Sequence, residues 1–328
     1  MLNRREFLCG SLATALATPL PIGAQPPGKV YRIGMLETRS VALNAANLDA
    51  FRRGLRELGY REGHNLVIDY RSSDGRDDRF PGLASEMVHR DVDVILTRGT
   101  PAALAAKQAT RTIPVVMAGS GDPVASGLVA TLGHPSGNVT GMSSLIADLN
   151  AKRVELLSQV LPKPRRVAVI FNMGNPVIPR QWMDVETTAR TLGMETQLLD
   201  VRRPEDLRSA FDAATKQGAE ALFVGVDGVT QTSLQLIAEF VTRQRLPSVY
   251  GAKEYVNFGG LMTYGVSDEH MYHRAATFVD RIFKGAKPGD LPVEQPTKVE
   301  LVINMRAATA LGLTIPQSLL LRADQVIE

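Results

Sequence analysis

Cysteine is almost missing from this 328-residue chain: Cys9 is the single example, and Trp182 is likewise the sole tryptophan. One thiol can build neither a disulfide framework nor a cysteine-based metal site. An excess of either charge is also lacking. Against 37 Lys and Arg stand 34 Asp and Glu, a net charge of +3, so there is no electrostatic case for a nucleic-acid partner. No apolar run is long enough to cross a bilayer.

Catalytic signatures are absent as well. No phosphate-binding loop ends in Gly-Lys-Ser/Thr, and no Gly-x-Ser-x-Gly nucleophile elbow occurs. Gly119-Ser-Gly-Asp-Pro-Val lacks the spacing of a dinucleotide fingerprint and has no acidic residue at the ribose position. His270 and His273 could share a helix face, but without a third ligand they read as solvated histidines. The sequence therefore argues against an enzyme and implies no cofactor and no metal.

The N-terminus carries a positive signal. Arg4-Arg5-Glu6-Phe7-Leu8 precedes the small, apolar stretch Gly10 to Ala17, which Pro19 and Pro21 end. A paired-arginine n-region before a short h-region is a twin-arginine signal peptide, read here as residues 1–24 with cleavage before Gln25. Cys9 precedes the h-region, whereas a lipoprotein cysteine follows it, so no lipid anchor is expected. The mature protein is expected in the periplasm, without a thiol. The sequon Asn138-Val-Thr140 means little behind such a leader.

About 300 residues remain, a length that suggests two domains. The chain repeats one scheme twice. In the first half, strands are read at Tyr31–Leu36, Asn65–Tyr70, Val92–Thr97 and Ile113–Met117. Between them lie an amphipathic helix through Leu48, Phe51, Leu55 and Leu58 closing at Gly59, a helix around Leu83–Val88, and a helix over Pro101–Thr110. In the second half, strands are read at Arg166–Phe171, Thr196–Asp200, Ala221–Val224 and Leu246–Tyr250. The helices there end at Leu192-Gly193 and cover Glu205–Lys216 and Thr232–Arg243. This alternation predicts two similar doubly wound α/β lobes with parallel sheets and right-handed crossovers. Gly137 to Ser144 reads as a connection between the halves rather than as a strand.

Functional groups in such sheets lie beyond the carboxyl ends of the strands, where helix N-termini present free N–H groups. The loops concerned are Glu37 to Ser40, Arg98 to Thr100, Gly119 to Asp122, Asn172 to Asn175, Gly225 to Asp227 and Gly251 to Glu254. Thr100, before Pro101, is placed as a helix N-cap or a ligand contact. Asp122 reads first as an Asx-turn residue. Asp227 follows an apolar strand between glycines, which packing explains less well. Trp182 reads as core packing, with an aromatic wall over a ligand as the alternative.

Several ordered motifs carry a resemblance. They are Asp122-Pro-Val, Gly127-Leu-Val, Gly137-Asn-Val-Thr-Gly141, Gly259-Gly-Leu-Met-Thr-Tyr-Gly265, Gly285-Ala-Lys-Pro288 and Leu291-Pro-Val-Glu-Gln-Pro-Thr297, then Val302-Ile-Asn-Met, Ala310-Leu-Gly-Leu-Thr-Ile-Pro316 and Leu321-Arg-Ala-Asp324. Together these resemble the ABC-transporter substrate-binding family whose better-known members bind tryptophan, tyrosine or phenylalanine. The resemblance implies a type I periplasmic-binding-protein fold: two lobes, three crossings, a ligand cleft between, and delivery to ABC permease subunits.

By this resemblance the helix Asp268–Phe283 returns to the first lobe. The lobes are then 29–142 plus about 266–288, and 146–262 plus about 291–328. Thr100 and Asp122 should face Asn172, Asn175 and Asp227 across the cleft. Thr140 to Ser144, Ser143 included, and Tyr264 should lie at or beside the crossings.

Two features depart from the aromatic-amino-acid binders. An acidic residue expected after the Asn-Val-Thr-Gly turn is replaced by Met142-Ser143-Ser144, and an expected Glu-x-Asn-Ser by Gly174-Asn175-Pro176. Glu37, Asp227 and Glu254 are the candidates to meet a ligand ammonium instead. The partner expected is an amino acid or other small organic molecule, bound by a monomer. A periplasmic sensor of the same fold, presenting its closed form to a receptor, is the alternative role.

Overall fold

The computed structural model describes residues 29–144, 146–161 and 166–328. The leader read in residues 1–24 lies outside them. The first lobe is built on β1 (Tyr31–Glu37), α1 (Ala45–Glu57), β2 (Leu66–Ser72), α2 (Phe80–His89), β3 (Val94–Arg98), α3 (Thr100–Ala109), β4 (Val115–Ser120) and β5 (Val139–Ser143). These strands form one parallel sheet in the order β2-β1-β3-β4-β5. Residues of β3 and β4 are buried without exception, as they must be when helices cover both faces. In α1, Leu48, Phe51 and Leu55 recur at helical spacing and all three are buried.

The second lobe repeats this plan. It contains α4 (Ile146–Val160), β6 (Arg166–Phe171), α5 (Ile178–Thr191), β7 (Glu195–Asp200), α6 (Leu207–Lys216), β8 (Ala221–Val224), α7 (Gly228–Thr232), α8 (Leu234–Gln244), β9 (Ser248–Tyr250), α9 (Glu254–Asn257) and β10 (Met262–Gly265). The chain continues through α10 (Asp268–Phe283), β11 (Glu300–Asn304), α11 (Met305–Leu311), α12 (Gln317–Leu320) and β12 (Gln325–Ile327). The second sheet runs β7-β6-β8-β9-β10-β11-β12, so its first five strands reproduce the order of the first lobe. Direction reverses after β10: β11 pairs antiparallel with it, and β12 runs parallel to β11. The fold is thus two doubly wound parallel-sheet lobes, as the alternation in sequence predicts, and of the type I periplasmic-binding-protein kind that the resemblance implies.

Two readings need correction. Residues expected as a connection, Gly137 to Ser144, contain β5, every residue of which is buried and which pairs in parallel with β4. No apolar run announces it, because its burial comes from outside the segment. Gly141 has φ 124°, and a Cβ there would collide with the Met117 backbone. Ladder register shifts at that point, between Met117 and Ser120. The helix read over Thr232–Arg243 is α8, and a short separate helix, α7, precedes it and stops at Thr232, with Ser233 between them.

Helix α10 packs on the first lobe: Met271, Tyr272, Ala275, Phe278 and Val279 share a core with Ile33, Phe51 and Leu55. The last crossing comes later than residue 291. Leu291 and Val293 still pack in first-lobe cores, and Glu294 exchanges backbone hydrogen bonds with Gly141 (3.0 Å) and Ser143 (2.8 Å). The chain joins the second sheet at Glu300.

Candidate functional site

Strand order reverses at β1 in the first lobe and at β6 in the second, so loops after β1 and β3, and after β6 and β8, diverge and leave a crevice. The two crevices face each other. Between them lies a cavity of about 30 Å³, lined by Thr38, Asp77, Arg98 and Thr100 from one lobe and Asn175, Gln181 and Asp227 from the other. Such a volume holds roughly one water, so the lobes stand closed. Contacts across the cleft agree: Gln231 Nε2 donates to Asp268 Oδ2 (3.3 Å), Arg39 pairs with Glu254 (3.6 Å), and Lys253 with Glu269 (2.9 Å). Backbones also meet closely, because a Cβ on Gly121 would lie 2.8 Å from Val177 and one on Gly228 would strike Thr38.

Among the residues singled out in sequence, Thr100, Asn175 and Asp227 line this cavity. Asn172 lies behind them, its Nδ2 donating to Asp77 Oδ2 (3.1 Å) and Asp227 Oδ1 (3.0 Å). Asp227 also accepts from Asn175 Nδ2 (2.9 Å) and from Val229 N (3.0 Å), and so caps α7. Thr100 is not the cap of α3; Gly99, with φ 87°, holds that position. The Thr100 hydroxyl instead accepts from Gly121 N (3.1 Å) and shares a hydrogen bond with Ser120 Oγ (3.1 Å), fixing two cleft loops together.

The remaining candidates lie elsewhere. Asp122 is exposed, and its Oδ1 accepts from Val124 N and Ala125 N (3.1 and 3.0 Å), an Asx turn that faces solvent rather than the cleft. Thr140 donates to Leu291 O (2.6 Å) and Ser143 N to Glu294 O (2.8 Å), binding β5 to the last crossing. Tyr264, at the carboxyl-terminal half of β10, accepts from Arg153 Nε (2.7 Å) through its backbone oxygen. Trp182 packs against the second-lobe core. His273 pairs with Glu57 at 2.9 Å, and His270 is exposed.

Glu37 is fully buried beneath the cleft, accepting from Tyr272 Oη (2.6 Å), while its Oε2 has no hydrogen-bond partner. Burial pushes its carboxyl up to about 7, against the pull of Tyr272, Arg39 and Arg98. Asp268 opens α10 and pairs with Arg98 (2.9 Å) and Arg39 (3.6 Å). Burial opposes its ionisation, but the two guanidinium groups outweigh that and hold its carboxyl below the usual range. Burial raises Glu254, and Asp268 adds to the rise. Asp77 is raised to about 7, first by burial and then by Asp227.

Sequence reasoning missed Asp77, Arg98 and Gln181. Arg98 is the last residue of β3, inside a loop already marked, and was passed over for its neighbour Thr100. Asp77 lies beyond the carboxyl end of β2, where the strand-end rule applied to the other loops would have reached it. Gln181 follows Ile178 by three positions on α5, and both side chains reach the cavity.

A family profile described as ABC transporter substrate binding protein matches residues 40–327. The chain belongs to that family. It is a family of solute-binding proteins rather than of enzymes. A curated relative, the tyrosine-binding protein of Clostridioides difficile (strain R20291), is 26% identical over 263 residues, 80% of this chain and 75% of the relative. Among solved structures, a conserved domain protein from Vibrio cholerae is 28% identical with a TM-score of 0.84, and the match covers 91% of this chain and 100% of that one. The ABC domain from Streptococcus pneumonia, solved in complex with L-Trp, is 26% identical with a TM-score of 0.82 and the same coverage. This member of the family therefore shares its lobes and their arrangement with solved relatives across nearly the whole described chain.

Proposed function

We propose that this protein is the periplasmic solute-binding component of an ABC importer, closing on an amino acid or similar small carboxylate and delivering it to permease subunits. The observation that carries the reading is the interlobe cavity, walled from both sides by strand-end loops. Arg98 is 7% exposed, lines that cavity, and among the described residues its Nε has no hydrogen-bond partner. The first turn of α3 opens beside it, adding backbone donors and the positive end of a helix dipole. A ligand carboxylate is the natural partner of both. Relatives named for tyrosine and solved with L-Trp support an amino-acid ligand.

Screening amino acids and amine-free carboxylates by thermal shift tests the reading, since a ligand of the folded state alone raises the melting temperature. Arg98→Lys keeps the charge beside Asp268 but loses the planar fork. Its affinity for any ligand found should fall about tenfold or more by calorimetry, because one decade is about 1.4 kcal/mol. Uptake of the labelled ligand should disappear in cells lacking the gene. Uptake unchanged in those cells would remove the importer role. Arg4-Arg5 and the following apolar stretch support export by the twin-arginine route. Lys-Lys at those positions should strand the protein in the cytoplasm, as fractionation would register.

A further inference from the structure

Lobe closure brings together two carboxylates that have no cation between them. Asp227 comes from the second lobe and Asp77 from the loop after β2 in the first. One amide, that of Asn172, donates to both, at 3.0 and 3.1 Å. Capping accounts for Asp227 in part, through Val229 N. Nothing of the kind accounts for Asp77, whose Oδ1 has no hydrogen-bond donor among the described residues, and neither aspartate joins an ion pair among them. Carboxylates that share a donor repel unless a positive charge joins them. Burial first, and then the Asp227 charge, raises the Asp77 carboxyl to about 7.

A second observation comes from the same cavity. Arg98, more than nine-tenths buried, lines it with an unpartnered Nε. The cavity thus offers a receptor for an anion from β3 and a receptor for a cation from the two aspartates. We propose that Asp77 and Asp227 clamp a primary ammonium group of the ligand between the lobes, and that Asp77 is the residue by which this chain selects amine-bearing over amine-free carboxylates. This rests on the solute-binding reading of the cleft. An ammonium has three donors; Asp77 Oδ1 takes one, and the outer lone pairs of Asp227 take another.

A proton consequence follows. Without an amine the Asp77 carboxyl, raised to about 7 by burial and by Asp227, holds a proton in part at neutral pH, and an ammonium at its Oδ1 displaces that proton to solvent. The charged groups facing Asp77 are Asp227, the cap of α7, Asp78 and Arg76 on its own loop, and, on the solvent side, Arg202 and Arg203 from the second-lobe loop after β7. Arg76 is engaged with Glu205, and Arg202 with Asp200 at 2.9 Å.

The test uses the mature protein. The twenty amino acids, simple primary amines, and for each hit the counterpart with hydrogen in place of the ammonium group are screened by thermal shift and then titrated calorimetrically. Titrations at pH 7 run in two buffers of different ionisation enthalpy, which reports proton release. The expected result is that amine-bearing ligands bind with release of a proton, while amine-free counterparts bind at least about tenfold more weakly. Asp77→Asn should lose about tenfold for the amine, leave the amine-free counterpart within about twofold, and abolish proton release. Equal loss for both ligands, or unchanged affinity for the amine, overturns the assignment. Amine-free carboxylates binding the wild-type protein as tightly as amines also overturns it, yet leaves solute binding standing. Absence of any hit, amine or carboxylate, sinks both.

Discussion

Glu37 ends β1 under the cleft, where burial competes with a 2.6 Å hydrogen bond from Tyr272. Its carboxyl stands at about 7 in the folded protein against an ordinary value of 4.5. Folding therefore takes up a proton between these values. The stabilisation is complete below about pH 4.5 and is lost as pH rises through about 7, roughly 3 kcal/mol over that span at 1.36 kcal/mol per unit. Glu37→Gln removes the titrating group while keeping an acceptor for Tyr272. Relative to wild type, its melting temperature should gain steadily from pH 5 to pH 8. Parallel curves for the two proteins would mean that Glu37 titrates as it does in water.

At the scale of elements, β5 and the last crossing hold each other. Thr140 Oγ1 donates to Leu291 O (2.6 Å), and Glu294 bonds to the backbone on both sides of Met142. Thr140→Val keeps the shape but leaves the buried Leu291 carbonyl without its donor. The cost should be about 1–3 kcal/mol by chemical denaturation, with ligand affinity unchanged because Thr140 does not line the cavity. A neutral result would mean that the crossing is held by Leu291 and Val293 packing alone. The break at Ser233 also belongs to this scale: it lets the short α7 end at the cleft, presenting Asp227 as its cap, while α8 packs Ile237, Phe240 and Val241 into the core.

For the whole molecule, the closed arrangement depends on the Gly228 backbone passing directly against the Thr38 side chain. Gly228 in the second lobe lies where any Cβ would strike Thr38 of the first. Packed surfaces of this density do not absorb an extra methyl group without moving. Gly228→Ala should therefore hold the lobes apart without unfolding either. Small-angle scattering should show a larger radius of gyration in saturating ligand, and affinity should fall by about tenfold or more. A second substitution, Thr38→Gly, should restore both. If Gly228→Ala binds normally, the lobes close at a different angle when the ligand is present.

Periodicity in the chain was enough to determine the alternation of strands and helices and the doubling of one scheme, because both depend on local patterning and burial on both sheet faces; the return of the helix Asp268–Phe283 to the first lobe came from the family resemblance. The strand-end rule likewise led to Thr100, Asn175 and Asp227, which sit where strand order reverses. Strand β5 could not be read this way: its Thr-Gly-Met core owes its burial to α10 and to residues 291–294, far along the chain. Asp122 and Asp77 show the same limit from opposite sides. Both follow strand ends, but one turns outward onto its own backbone, and the other is carried across the cleft to Asn172 and Asp227. Which of the two aspartates meets a partner depends on how one lobe rests on the other. That contact joins residues some 150 positions apart and leaves no periodic trace in either segment, so tertiary structure alone decides it.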